Sequence, residues 1–343
     1  MKILDRLAVP IIQGGMGVGI SMGGLAGAVA ACGGMGVIST VNIGFREADF
    51  WKNPEKANRR ALQAEIAKAR QIAKGKGIIA VNAMVATTGF ADLVKTACKS
   101  GIDAVISGAG LPLSLPELTK GFDVMIAPIV SGGRAAKTIL SMWQKRHNRK
   151  ADFIVVEGSR AGGHLGFTRE EAAGSAKPLP QLICEVVREA GDIPIFAAGS
   201  VFDRTDMQEV KSQGASGVQI ATRFIATEEC DASRGFKDVI VRANAEDVMI
   251  LQSPVGMPGR GLKTPLMKRV AAGERFAPKQ CIRCIHSCDP AKTPYCINQA
   301  LIKGYYGNYE EGLFFCGDNV GRINEMTTVK ALMEELAAEW SQI

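Results

Sequence analysis

Phe153-Ile154-Val155-Val156-Glu157-Gly158-Ser159-Arg160-Ala161-Gly162-Gly163-His164-Leu165-Gly166 is the stretch whose reading decides the fold. Its first four residues form an unbroken apolar run, the pattern of a strand buried on both faces rather than one alternating between core and water. The chain then enters a loop with little side-chain bulk around a single histidine, His164, one of three in 343 residues. Glycine at 158, 162, 163 and 166 lets backbone amides approach a flat or anionic ligand closely.

The same alternation recurs on both sides of this stretch. Candidate strands are Ala8–Gln13, Gly36–Val41, Ile78–Val85, Ala104–Ser107, Val124–Val130, Phe153–Glu157, Ile193–Ala198 and Gly217–Ala221. Helix-like stretches separate them: Met22–Cys32, Ala57–Lys74, Ala91–Lys99, the short proline-flanked Leu115–Leu118, Ala135–Lys145, Leu179–Glu189 and Arg204–Gln213. Eight such units in roughly 225 residues predict a (β/α)8 TIM barrel, with a doubly wound open sheet as the runner-up. After Phe224 the rhythm changes, and a smaller C-terminal subdomain containing a cysteine cluster is expected. The division is 1–225 for the barrel, 226–320 for a substrate-covering and cysteine-bearing subdomain, and 321–343 for a helix returning to the barrel.

Composition narrows the function classes. Apolar residues make up 47% of the chain, with 39 glycines, as in a globular protein with many tight turns. The net charge of +7 falls short of a nucleic-acid footprint, and the basic residues are scattered along helix faces. Residues 7–45 carry no charge, yet eleven glycines break them into strand-sized and helix-sized pieces, which fits barrel core better than lipid. No signal peptide is visible. The expectation is a cytoplasmic enzyme acting on a small molecule, as a homodimer, with neither nucleic acid nor membrane as partner.

In a β/α barrel the ligand face lies at the C-terminal ends of the strands. The tips that carry special residues here are Gln13-Gly14-Gly15-Met16, Asn82, Ser131-Gly132-Gly133, Glu157 to His164, Gly199-Ser200 and Gln219 to Arg223. The last two strands end in Ala197-Ala198-Gly199-Ser200 and Gln219-Ile220-Ala221-Thr222, small-residue turns of the kind that cradle phosphate.

Pro10 to Met16, Val81-Asn82, Glu157 to Gly166, Ala197 to Ser200 and Gly217 to Phe224 together resemble the flavin-dependent nitronate monooxygenase family (older name, 2-nitropropane dioxygenase), which also contains FMN-dependent enoyl-ACP reductases. The Ala161-Gly162-Gly163-His164 core is the most specific element. The resemblance implies an FMN-binding barrel in which Gln13, Gly14 and Asn82 lie near the isoalloxazine and Glu157, Gly162 and Gly163 approach the flavin. It implies further that Gly199, Ser200, Gln219, Ala221 and Thr222 hold the flavin phosphate. His164 matches the family histidine that acts as base on a neutral nitroalkane or orders the reductase site. Glu157 stands where many monooxygenases carry glutamine, and Ser200 and Ala221 replace glycines common in the phosphate turns.

A neutral imidazole near pH 7 can accept a carbon-bound proton made acidic by a nitro group. His147, among Lys145, Arg146, Arg149 and Lys150, reads as surface, and His286 as a ligand or bystander. Cys281, Cys284, Cys288 and Cys296 give the spacing C-x2-C-x3-C-x7-C, and four thiols within sixteen residues predict a metal site holding either Zn or a 4Fe–4S cluster. The opening of that pattern resembles the iron–sulfur segment of dienoyl-CoA reductases.

Two activities follow. The first is oxidation of nitronates and nitroalkanes by an FMN enzyme with His164 as base. The alternative is an FMN-dependent enoyl thioester reductase using NAD(P)H, with or without an iron–sulfur cluster. The loop Ser253 to Arg260 is placed over the substrate in either case, with Arg260 meeting a nitro or phosphate group or else lying in a plain surface turn.

Overall fold

A computed structural model describes residues 3–343. Eight parallel strands close into a barrel: β1 (Ile11–Gln13), β2 (Met35–Ser39), β3 (Ile78–Met84), β4 (Ala104–Gly108), β5 (Met125–Val130), β6 (Ile154–Glu157), β8 (Ile195–Ala198) and β9 (Gly217–Ile220). β9 pairs with β1 through Ile11 opposite Val218, which closes the ring and excludes the open sheet. All eight predicted strands are present. The first is shorter than expected because Pro10, lacking an N–H, can only accept; its carbonyl takes the Val218 N–H at 3.0 Å.

The continuous apolar runs are explained by two cores. Ile12, Met35, Val37, Ile78, Ala80, Ile106, Phe153, Val155 and Phe196 fill the barrel interior, and Ile3 and Leu7 pack with them. Their alternates, such as Ile11, Ile38, Ile79, Val81, Ile154 and Val156, face the surrounding helices. Each strand is therefore apolar on both faces, as period-two geometry requires of a layer buried on both sides.

The helices are α1 (Ile3–Arg6), α2 (Gly23–Ala31), α3 (Pro54–Ala73), α4 (Phe90–Lys99), α5 (Leu115–Leu118), α6 (Gly133–His147), α7 (Leu179–Ala190), α8 (Arg204–Ser212), α9 (Thr222–Ile225), α10 (Arg234–Arg242), α11 (Pro265–Ala271), α12 (Ile297–Tyr305) and α13 (Val329–Ser341). The charge-free α2 lies against the barrel beneath α3. Its first turn is capped from a distance: Asp231 accepts the N–H groups of Met22, Gly24 and Leu25 at 2.9, 3.1 and 2.9 Å, and Glu65 accepts that of Gly23 at 2.8 Å. β9 is followed only by the single turn α9. α13 packs against both α2 and α8, filling the outer position that α9 leaves open, and Glu335 ties it to Arg223 at 2.8 Å. No helix among the described residues is long and apolar enough to cross a membrane.

The stretch expected as a loop, 253–260, is partly strand. β10 (Val248–Gln252) and β11 (Pro258–Leu262) form a hairpin, and β11 pairs on its other edge with the two-residue β7 (Gly163–His164). The glycines that read as loop punctuation instead permit close approach. A Cβ on Gly261 would stand 2.4 Å from the Phe314 carbonyl oxygen, and one on Gly259 would stand 3.1 Å from the Phe315 ring.

Candidate active site

The strand tips open on one cavity of about 210 Å³ at the C-terminal rim. A smaller lobe of about 60 Å³ adjoins it, and Glu157, Gly162, Gln219, Ala221 and Thr222 line both. Of the residues singled out in the sequence, Gly14, Asn82, Gly163 and His164 also line the main cavity, while Gly199 and Ser200 line the lobe. Gln13 is a correction: it is fully buried and does not line the cavity. Its Oε1 accepts the Val37 N–H at 3.1 Å and its amide nitrogen bonds the Gly14 carbonyl, so it stitches β1 to β2 inside the barrel.

Three glycines shape the cavity. A Cβ on Gly15 would lie 2.5 Å from the Cβ of Asn82, so its absence makes room for that side chain. Gly162 packs backbone to backbone, its hypothetical Cβ falling 2.4 Å from the Cys316 carbonyl carbon. Gly163, at φ +82°, has nothing within 4 Å on that side and leaves its peptide open to a flat ligand.

His164 is held on every side. β7 pairs it with Gly259, and the next residue, Leu165, donates its N–H to the Pro258 carbonyl at 2.9 Å. The imidazole Nε2 lies 2.7 Å from Ser253 Oγ, and the ring stands edge-on to Phe315 with centroids 5.1 Å apart. Burial pushes its pKa down from 6.5 to about 4, so the ring is neutral at pH 7.

Glu157, at the tip of β6, shifts the other way: burial raises its carboxyl from 4.5 to about 8. The sign of the linkage follows. The favoured state is the neutral acid, so its contribution to stability is full below pH 4.5 and is lost as the pH rises through about 8. Glu157→Gln is therefore expected to flatten the decline in melting temperature between pH 4.5 and about pH 8, by a few degrees at the alkaline end. Thermal unfolding across that range checks it.

In the smaller lobe Gly199 and Ser200 both adopt left-handed backbone, at φ 89° and 74°, which turns the chain sharply after β8. The Ser200 hydroxyl is bonded to Asp318, which also pairs with Arg160 at 2.5 Å. Thr222 Oγ1 accepts the Gly317 N–H at 2.9 Å. The segment 316–319 thus covers the lobe, and Gly317 and Asn319 line it.

Sequence reasoning missed Phe315, Cys316, Gly317 and Asn319 as wall residues and Ser253 as the hydrogen-bond partner of His164. Cys316-Gly317-Asp318-Asn319 carries the small and Asx residues typical of a ligand turn, but no barrel strand precedes it. Arg260 is a second correction. Its guanidinium donates to the Ser159 and Ala172 carbonyls at 3.0 and 2.8 Å, outside the cavity wall.

Cys281, Cys284, Cys288 and Cys296 line a separate small cavity of about 20 Å³. Among the described residues, however, no group of three or more His, Cys, Asp or Glu side chains is arranged to hold a metal ion. Cys281 is exposed while the other three are partly buried, and burial raises the thiols of Cys284 (to about 11), Cys288 and Cys296. The spacing brings the thiols to one neighbourhood without assembling the expected ligand set. His286 is exposed, with its N–H on the Ala86 carbonyl at 3.1 Å. His147 is half-buried, 3.7 Å from Glu117.

Comparison with known proteins places this geometry among relatives. A family model described as nitronate monooxygenase matches residues 1–339. A Rhodococcus jostii protein named (3aS,4S,5R,7aS)-5-hydroxy-7a-methyl-1-oxo-octahydro-1H-indene-4-carboxyl-CoA dehydrogenase is 24% identical over 96% of this chain and 92% of its own. A Bacillus subtilis protein named "Probable nitronate monooxygenase" is 27% identical over 56% of this chain, a match spanning 52% of that relative's length. The structure of FabK from Thermotoga maritima superposes with a TM-score of 0.77 at 27% identity, covering 99% of this chain and 96% of that one.

Proposed function

Since the chain belongs to the nitronate monooxygenase family, whose members are FMN-dependent oxidoreductases, we propose that it oxidises nitronates and neutral nitroalkanes with His164 as the base. The observation that carries this reading is a neutral, rigidly held imidazole in the wall of a cavity whose neighbouring face is bare glycine backbone. The residues fit FMN. The open peptide at Gly163 and the walls at Gly14, Asn82, Glu157, Gly162 and Gln219 suit a flat ring, and the left-handed turn at Gly199-Ser200 with Ala221 and Thr222 suits its phosphate. When bound, FMN supplies an acceptor for electrons from the deprotonated substrate carbon. The same reading assigns 1–225 to the FMN barrel, 226–320 to a substrate-covering segment and 321–343 to the returning helix.

A base needs one ring nitrogen with a free lone pair. Nε2 of His164 is engaged by Ser253, so a base at this position requires the tautomer in which Nε2–H donates to Ser253 Oγ and Nδ1 keeps the free lone pair. Ser253 Oγ also accepts the Val255 N–H at 3.2 Å, which uses its two lone pairs and fixes the ring's rotation. Ser253→Ala is expected to lower kcat/KM for a neutral nitroalkane by about tenfold with FMN content unchanged. Steady-state nitrite formation, set beside the flavin spectrum, measures both.

The acid side of the pH profile follows from the lowered histidine pKa. Neutral imidazole is the favoured form, so its contribution is present above pH 6.5 and is lost as the pH falls through about 4. The acid limb of kcat/KM should fall near pH 4 rather than near the ordinary imidazole value. A limb at pH 6.5 would contradict the burial argument.

A second reading, reduction of an enoyl thioester by NAD(P)H, is favoured by the near full-length likeness to FabK. Steady NAD(P)H oxidation with an enoyl thioester, without nitrite from nitronates, would select it. Neither reading is routed through a metal; the four thiols line one small cavity, where Zn or an iron–sulfur cluster remains the expectation from their spacing. Iron, acid-labile sulfide and zinc analysis of anaerobically purified protein tests that point.

A further inference from the structure

Strand register aims the acid at the tip of β6. Phe153 and Val155 point into the barrel interior, so Glu157, two residues further on, points the same way at the mouth. Glu157 pairs with Ala198 and Ala198 with Gln219, which sets an acid and an amide on one level of the ring with a small residue between them. Glu157 and Gln219 both line the main cavity and its lobe. No protein group binds the carboxyl: neither a hydrogen bond nor a neighbouring charge offsets its burial. Among the described residues, the sealed side-chain atoms without a partner belong to Arg260, Asn298 and Glu339. The unpartnered oxygens of Glu157 therefore keep accessible surface, and that surface opens on the cavity.

The charges on the surrounding elements are committed elsewhere. Arg223, at the lobe, donates to Glu335 and to the Phe202 carbonyl at 2.8 Å each, and Arg160 pairs with Asp318. On α7, which packs against β6, Glu185 pairs with Lys177. The wall of the main cavity contains no Lys or Arg, and its other titratable groups are His164, Cys284 and Cys316. Burial lowers the imidazole to about 4 and raises both thiols, that of Cys284 to about 11. Glu157, raised to about 8, is therefore the one group in that wall whose charge changes across the neutral and mildly alkaline range.

A hydride equivalent, two electrons and one proton, leaves a bound flavin ring with one more negative charge. In a cavity without a cation that charge repels an ionised carboxylate, and protonating the acid relieves the repulsion. We propose that Glu157 is a proton-coupling residue: ionised in the oxidised enzyme at alkaline pH, its carboxylate takes one proton from solvent whenever the ring beside it accepts a hydride equivalent. The pair gains two electrons from the substrate and two protons, one on the ring and one on the carboxylate, so its net charge is unchanged. This role rests on the FMN site proposed above. It adds a pH control, in which the bound flavin becomes a weaker oxidant as the pH rises through about 8.

The test titrates FMN-loaded wild type and Glu157→Gln anaerobically with dithionite against reference dyes of known potential, from about pH 6 to about pH 10. At the acid end both proteins carry a neutral side chain, and their midpoint potentials should differ by a constant. Above about pH 8 the reduction constant of the wild type should fall relative to the variant by up to about tenfold per pH unit, about 30 mV for a two-electron couple. Proton uptake on reduction is followed separately with an indicator dye in weak buffer, and free FMN gives the ring's own share. Near about pH 9 the wild type should take up about one proton more than free FMN, a measurement that stands whether or not the variant folds well.

A carboxyl that merely supports the cavity would offset the two potentials by a constant and leave their slopes alike. Potentials that stay parallel across the range, or wild-type uptake equal to that of free FMN, would overturn the coupling and leave the FMN site standing. A colourless protein that binds no added FMN would overturn both.

Discussion

Replacing His164 by alanine is expected to lower kcat/KM for a neutral nitroalkane by about 10²- to 10⁴-fold, the usual contribution of a positioned general base. Activity on the pre-formed nitronate should change far less, because that substrate has already lost its α-proton. Flavin content should be retained, since the lobe proposed to take the flavin phosphate is lined by Gly199, Ser200, Ala221 and Thr222 and not by the imidazole. The contrast between the two substrates is the informative quantity. Equal losses on nitroalkane and nitronate would mean that the side chain supports the cavity rather than moving a proton. Unchanged turnover of the nitroalkane would remove the base assignment altogether.

Gly162→Ala is expected to be nearly as damaging by a different route. The added methyl would sit 2.4 Å from the Cys316 carbonyl carbon and 2.6 Å from the Gly317 nitrogen. These are backbone atoms, so no side-chain rotation relieves the clash and the two segments must part. Overpacking of this kind costs about 1–3 kcal/mol. Here it also pries the 316–319 segment off the smaller lobe and shifts the strand that carries His164. FMN affinity should fall by about tenfold or more, measured by flavin release on dilution and by the melting temperature with and without added FMN. Gly163→Ala provides the contrast. Its site has no atom within 4 Å, and the penalty is limited to left-handed backbone at φ +82°, worth about 1–2 kcal/mol. If the two substitutions behaved alike, close backbone approach at Gly162 would not be what shapes the site.

The barrel was readable because its strands are buried on both faces. Apolar runs such as Phe153–Val156 admit few other readings once they recur at β/α spacing, and turn glycines punctuate them. Strand tips could then be located by position alone, which brought Gly14, Asn82, Glu157, Gly162, His164 and the two phosphate turns to one rim. The same logic misjudged Gln13. A glutamine at a strand tip looks like a ligand donor, and nothing local reveals that the Val37 N–H claims its oxygen.

What could not be read lies mostly after residue 225. Phe315, Gly317 and Asn298 reach the cavity walls, and Ser253 reaches His164, through contacts with partners far away in the chain. The glycines of 256–261 looked like loop when two of them make room for the segment at Phe314 and Phe315. The cysteine spacing matched a ligand pattern, and the four thiols do line one small cavity, yet Cys281 stays exposed and no metal-holding group forms among the described residues.

The two-residue strand bearing His164 is the edge member of a sheet whose other two members form a hairpin. Ser253, at the start of that hairpin's turn, is the imidazole's hydrogen-bond partner, so displacing the hairpin would strip the ring of its strand partner and its Ser253 contact together. The seating of the hairpin and the orientation of the ring are therefore one variable rather than two.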